Sequence, residues 1–171
     1  MRALTISAHG GTDKLEYRTD VAVPEPAAGT VRVRIHAAAL NHLDVFTLEG
    51  LPGINIQPPW VMGADGAGVI DKVGQCVNTI NEGDRVTINP GLSDRTCEYC
   101  KAGEQSLCVR FRLLGEHAPG TFADYIVVPA ENVRRIPESI SFETAAAATL
   151  ANLTAWRMLV KIGRASCRER V

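Results

Sequence analysis

Three cysteines spaced Cys97-x2-Cys100-x7-Cys108 constrain this chain more than any other feature of its sequence. They lie within residues 89–120, a stretch with little apolar periodicity. A structureless segment of that length inside a compact domain needs a staple or a function of its own. A C-x2-C turn brings two thiolates onto one tetrahedral metal ion, and Cys108 returns as a third ligand. Asp94, three residues before Cys97, offers the carboxylate that completes the tetrahedron, with Glu98 and Glu104 as alternative oxygen donors. Four protein ligands leave no open position, so such a site is structural, and zinc suits mixed thiolate and carboxylate ligation. The plain alternative is three reduced thiols in an irregular loop. The chain has five cysteines, an odd number, and no second cluster for these three to pair with. A reducing, cytoplasmic compartment is therefore expected rather than a disulfide framework. Cys76, alone between Gln75 and Val77, reads as a small buried hydrophobe.

The rest of the first three quarters reads as short strands and turns. Strands are expected over Arg2 to Ser7, Lys14 to Arg18, Gly66 to Val73, Asp84 to Ile88, and Phe122 to Val128, where Pro129 stops the run. From Val31 to His36 apolar and polar residues alternate, the period-two signature of a half-buried strand. Val21 to Gly29, with Pro24 and Pro26, reads as an extended connector. Asn41 to Leu48 fits a short helix with Asn41 as N-cap and Asp44 in its first turn. Gly50 to Pro59 and Gly74 to Gly83 read as loops. Ser141 caps a helix through Glu143 to Thr149, and a second helical pattern runs from Asn152 to about Lys161. Many short strands followed by helices predict a mainly β fold with some α, a small barrel or sandwich.

Several function classes fall away on charge and pattern. Eighteen basic and nineteen acidic residues leave a formal net charge of −1, scattered along the chain. Neither a nucleic-acid face nor a polybasic membrane patch is expected. No run approaches the ~20 apolar residues of a membrane span, and the N-terminus carries no secretion pattern. Gly63-Ala64-Asp65-Gly66-Ala67-Gly68 has the look of a dinucleotide loop, but strand residues follow it where a helix is required. Those glycines read instead as a tight bend in a sheet. His9, His36 and His117 are isolated and read as structural or solvated.

Taken together, these motifs resemble the medium-chain dehydrogenase/reductase family, in its N-terminal GroES-like catalytic domain. The residues that carry the resemblance are Ala39 to Asp44, Gly63 to Val69, Gly83 to Val86, the cysteine cluster with Gly103, Gly120 to Tyr125 and Leu153 to Trp156, in family order. The resemblance implies a partly open GroES-like β-barrel over residues 1–130, with a structural zinc lobe at 89–120. Residues 131–161 are then a helical connection towards a Rossmann domain that this chain does not reach. The family's lobe carries four cysteines, and Asp94 stands at the first of them. Its alcohol dehydrogenases hold a catalytic zinc at three positions that here read Asn41, Ala64 and Leu150, and their proton-relaying hydroxyl falls at Leu43. Amide, methyl and isobutyl groups do not replace thiolate and imidazole around zinc.

The resemblance thus implies a quinone or enone reductase with structural but no catalytic zinc. It implies hydride transfer from NADPH, or NADH, to a small carbonyl or quinone substrate. In that reading Asn41 donates a hydrogen bond to the carbonyl oxygen, Asp44 organises the cleft and Thr154 lies against the nicotinamide. The full-length parent is expected to be a homodimer, and the fragment alone inactive. The final residues 162–171 resemble the in-frame translation of a sequencing adapter and are expected to be an artefact tail. Two alternatives stand beside this: a zinc-dependent alcohol dehydrogenase, and a non-enzymatic zinc-stapled binding module.

Overall fold

The computed structural model describes residues 1–52 and 54–162. Of the expected artefact tail, residues 162–171, only Ile162 falls among the described residues. The first sheet is built from β1 (Ala3–Ile6), β2 (Leu15–Arg18) and β4 (Trp60–Val61), in the order β2-β1-β4. The second has five antiparallel strands: β3 (Thr30–Ala39), β5 (Asp65–Val73), β6 (Arg85–Ile88), β9 (Tyr125–Pro129) and β10 (Val133–Arg135), in the order β10-β6-β5-β3-β9. A pair inside the cysteine-bearing segment, β7 (Gly91–Leu92) with β8 (Arg112–Leu113), makes the third. An isolated Ala3–Ala123 bridge, with Leu4 N–H donating to the Phe122 carbonyl at 2.8 Å, draws the first sheet against the entry to β9. None of these sheets closes on itself, so the GroES-like barrel stays open.

The alternation in β3 sets the core. Val31 and Val33 are fully buried while Arg34 and His36 face out, as a period of two requires. They pack with Ile70, Val86, Ile88, Ile126 and Val128 from the neighbouring strands. Burying one such side chain stabilises the fold by roughly 1.5–3 kcal/mol. Register runs from Val31 opposite Val73 to Ala39 opposite Asp65, with irregularities at Arg32/Val33 and Ile35/Ala37. Gly68 shows why this strand is glycine-rich: a β-carbon there would collide with the Arg34 carbonyl of β3. The stretch Gly63 to Gly68 therefore enters a strand, not a nucleotide loop.

Four short strands, β4, β7, β8 and β10, stand outside the expectations from sequence, because two or three residues carry no readable period. Expected strand ends also move: β9 begins at Tyr125 and includes Pro129. Pro129 sits at the strand's final position, where its missing N–H costs nothing. The two expected helices are one. After the short helix α1 (His42–Glu49) and the single turn α2 (Glu98–Lys101), α3 runs unbroken over Phe142–Arg157 and continues as a π-turn, Met158–Ile162. Nothing between Thr149 and Asn152 breaks a helix, so propagation carries through. Ser141 does cap it, its Oγ accepting the Thr144 N–H at 3.2 Å. Ala145 and Ala146 let α3 lie close on Ala67 of β5, which fixes the helix over the sheet. Cys76 is exposed, with a positive φ of 63°, and is no buried hydrophobe. It stands in a Gly/Asn turn region that offers no apolar cover.

Candidate functional site

The cysteine-bearing segment closes on itself at one point. Single ligand atoms from Asp94, Cys97, Cys100 and Cys108 all lie within 4.8 Å of one another. A zinc ion with bonds of about 2.3 Å to sulfur separates its tetrahedral ligands by about 3.8 Å, so the donor set fits the ion after small adjustments. Short local elements aim the four groups. Cys97 and Cys100 flank the first turn of α2, and Cys108 follows a 3-10 turn over Gln105–Leu107. Asp94 Oδ1 accepts the N–H groups of Thr96 at 2.9 Å and Cys97 at 3.0 Å. Those donors hold its carboxyl well below the usual carboxylate range. The turn leaves the carboxylate's other oxygen for a cation. Backbone N–H groups of Asp94 and Arg110 each approach the Cys108 sulfur at 3.4 Å.

The thiols differ in environment. N–H groups of Cys100 and Val109 lower the Cys97 pKa, whereas burial pushes the Cys100 thiol up to about 11. Metal ligation requires thiolates, so binding here releases protons. Glu104, an alternative ligand on sequence grounds, points elsewhere. It pairs with Arg157 at 3.3 Å and Lys161 at 3.0 Å, joining the lobe to the end of α3. Glu98 likewise stands outside the cluster.

A second polar centre forms where α1, β5 and α3 meet. Asn41 caps α1, with an extended backbone (φ −125°, ψ 156°). Asp44 Oδ2 accepts its backbone N–H at 2.7 Å. The Asn41 side-chain Nδ2 donates to Asp65 Oδ2 at 3.2 Å. Both Asp65 oxygens receive the Leu150 N–H from the middle of α3, at 3.1 Å each. The three sequence positions Asn41, Ala64 and Leu150 are thereby brought together, with Ala64 fully buried beside Asp65. Burial raises the pKa of Asp65 and of Asp44, against the N–H donors that lower them. This donor set does not fit a zinc ion: among the described residues it holds no thiolate or imidazole, and the one metal-competent cluster is at Asp94.

Sequence reasoning missed Asp65 as a site residue. The signal was available, since Asp65 is the one acid in the apolar, glycine-rich run from Val61 to Ile70. Thr154 lies on α3, exposed, four residues beyond Leu150 and so along the same helix face. The isolated histidines have structural partners: His9 meets the Thr47 carbonyl at 2.9 Å, His36 stacks on Phe142 and His117 accepts the Leu113 N–H. No helix of the described residues is long and apolar enough to cross a membrane.

Comparison with known proteins places these features in a family. Residues 27–138 match the alcohol dehydrogenase GroES-like domain. An alcohol dehydrogenase of Schizosaccharomyces pombe is 34% identical over 158 residues, covering 92% of this chain and 45% of that protein. An L-threonine 3-dehydrogenase of Anaeromyxobacter is 36% identical over 129 residues, 74% of this chain and 38% of its own length. A crystal structure of an NAD-dependent alcohol dehydrogenase superposes with a TM-score of 0.90 at 51% identity, over 94% of this chain and 46% of that one. The chain thus spans less than half the length of these relatives. The matched domain, the open barrel and the cysteine lobe together make it a member of the medium-chain dehydrogenase/reductases, carrying their alcohol dehydrogenase GroES-like domain.

Proposed function

We propose that this chain supplies the substrate-side domain of a nicotinamide-dependent oxidoreductase of the alcohol dehydrogenase type, interconverting a small alcohol and its carbonyl. The observation that carries the reading is the convergence of Asn41, Asp65 and Leu150 at one buried polar centre, in a domain 51% identical to an NAD-dependent alcohol dehydrogenase. The relatives named above favour alcohol or amino-alcohol substrates, and give the expected quinone or enone specificity no support. NAD(H) likewise has more support than NADPH. When bound, the nicotinamide supplies or accepts the hydride. Asn41 uses the amide N–H not engaged by Asp65 to hold the substrate oxygen as charge changes there. Asp44 keeps the first turn of α1 in place, and Thr154 borders the nicotinamide. Asp94, Cys97, Cys100 and Cys108 hold a structural zinc ion. Residues 131–161 lead towards a nucleotide-binding domain, and the parent is a homodimer acting in the cytoplasm.

A quinone or enone reductase remains the second reading, favoured by one feature: the centre at Asn41, Ala64 and Leu150 has no zinc donors, and electron-poor acceptors need less Lewis-acid help. The complete gene product assayed in both directions separates the two. Oxidation of primary, secondary or amino alcohols with NAD⁺ supports the first reading. Reduction of quinones or enones alone, without alcohol oxidation, supports the second. Turnover of neither class with either nucleotide would leave the non-enzymatic zinc-stapled module in their place. Metal analysis adds a check, because one zinc per chain is expected and two would contradict the ligand set described.

A further inference from the structure

Asp65 is buried to 1% exposure and makes no ion pair among the described residues. It opens β5, where Ala64 before it and Gly66 after it are buried as well. A carboxylate in such surroundings is costly unless donors satisfy it. Its donors come from two separate elements. The Asn41 amide reaches it from the N-cap of α1, and the Leu150 N–H from mid-α3. A mid-helix N–H ordinarily serves only its own helix, so a side chain inserted there is a specific tie.

The chemistry of the pair is directional. A carboxylate only accepts, so it selects the nitrogen end of the Asn41 amide and excludes the oxygen end. One Nδ2 hydrogen is then committed to Asp65. The other is left to the Ala39 carbonyl, a long and therefore weak hydrogen bond at 3.5 Å. That weakly held hydrogen is the one a better-placed ligand oxygen would take over. Without Asp65 nothing would fix which end of the amide points which way.

We infer that Asp65 is the positioning residue of this centre: it fixes the Asn41 amide nitrogen and ties it to α3, so that one N–H is presented to a substrate oxygen. The inference rests on the reading of Asn41 as the donor to that oxygen. The same carboxylate links the N-terminus of α1 to the face of α3 that carries Thr154. A displacement at Asp65 therefore changes the spacing between the oxygen-binding group and the hydride path.

The test is a double-mutant cycle in the complete gene product, with Asn41→Ala, Asp65→Asn and the two combined. Asp65→Asn is expected to lower kcat about 10- to 100-fold with a smaller change in KM, the cost of a displaced reacting group. In the Asn41→Ala background it is expected to cost little more, because its effect runs through Asn41. Additive losses in kcat would overturn the inference and leave Asp65 a structural residue. A second readout needs no turnover. In the ¹⁵N-labelled 171-residue chain, one Asn41 side-chain amide proton should be protected from solvent exchange and its partner should exchange markedly faster. Asp65→Asn should abolish that asymmetry. Two protons exchanging alike in the native chain would overturn the inference even if Asp65→Asn does not fold. If no substrate turns over, the functional reading fails by itself and the exchange measurement still decides the role of Asp65.

Discussion

A buried carboxylate without a cation sets its own pH dependence. Desolvation raises the Asp65 carboxyl above its ordinary value of about 3.9, and Asp44 shifts in the same direction. Folding then takes up protons between the unfolded value and the raised folded one. The contribution to stability is complete below the unfolded value and is lost as pH rises through the folded one. Asp65→Asn removes this titration while keeping the shape. The Tm difference between native chain and variant should therefore move in favour of the native chain as pH falls from 7 towards about 4. Thermal melts at matched metal content measure it, and a gap that stays constant or narrows would contradict the assignment. Asp44 lies close enough to add to the Asp65 shift, so the comparison reads Asp65 together with its repulsion from Asp44.

Among the elements, the lobe and the sheet are held by different forces. Residues 89–120 contain only two-residue strands, a four-residue helix and a 3-10 turn, while the five-stranded sheet carries the largest apolar cluster. Chelation should therefore melt the lobe and spare the sheet: amide exchange should rise over 89–120 and stay slow in β3, β5 and β6. Asp94→Ala should weaken zinc affinity by more than the 10- to 100-fold that is typical of losing a group that only supports a ligand. A competition titration with a chromogenic chelator reads this, and an unchanged affinity would remove Asp94 from the site. In the sheet, Gly68→Ala should prevent folding or displace β5 from β3, since the neighbouring Arg34 carbonyl is backbone and has no room to yield. Circular dichroism of the variant checks this, and a native spectrum with native Tm would show that the strands give way.

At the scale of the molecule, α3 has two faces with different fates. Ala145 and Ala146 lie on the sheet, whereas Leu153, Trp156, Met158 and Leu159 stand 52–75% exposed beyond it. A clustered apolar surface of this kind drives association. The double substitution Trp156→Lys with Leu159→Lys should lower self-association of the 171-residue chain while leaving its Tm nearly unchanged. Sedimentation or light scattering against concentration tests this, and equal association in both proteins would assign the contact elsewhere. The pairing of Glu104 with Arg157 also matters at this scale, because it fastens the lobe to the segment of α3 that carries that surface.

What could be read without coordinates was whatever repeats at a short period or sits at a diagnostic spacing. The alternation of Val31, Val33 and Ile35, the capping pattern at Asn41 and Asp44, and the Asp94–Cys97–Cys100–Cys108 set are local, and all three reappear in the structure. Elements of two or three residues escaped because they carry no period, and α3 was read as two helices because propensity dips without breaking. Glu104 illustrates the same limit: as an oxygen donor near the cysteines it was a reasonable ligand, but Arg157, 53 residues away, claims it. Asp65 is the clearest case. Its neighbourhood marks it as a lone acid among apolar residues, but its partners are 24 and 85 residues distant, so nothing nearby says what it binds. The longer strands and the grouping of Asp94 with the three cysteines are legible from the chain alone, because they rest on nearby side chains. Which polar groups meet at the centre is set by the packing of α1 and α3 on β5, because burial there makes a lone carboxylate depend on distant donors.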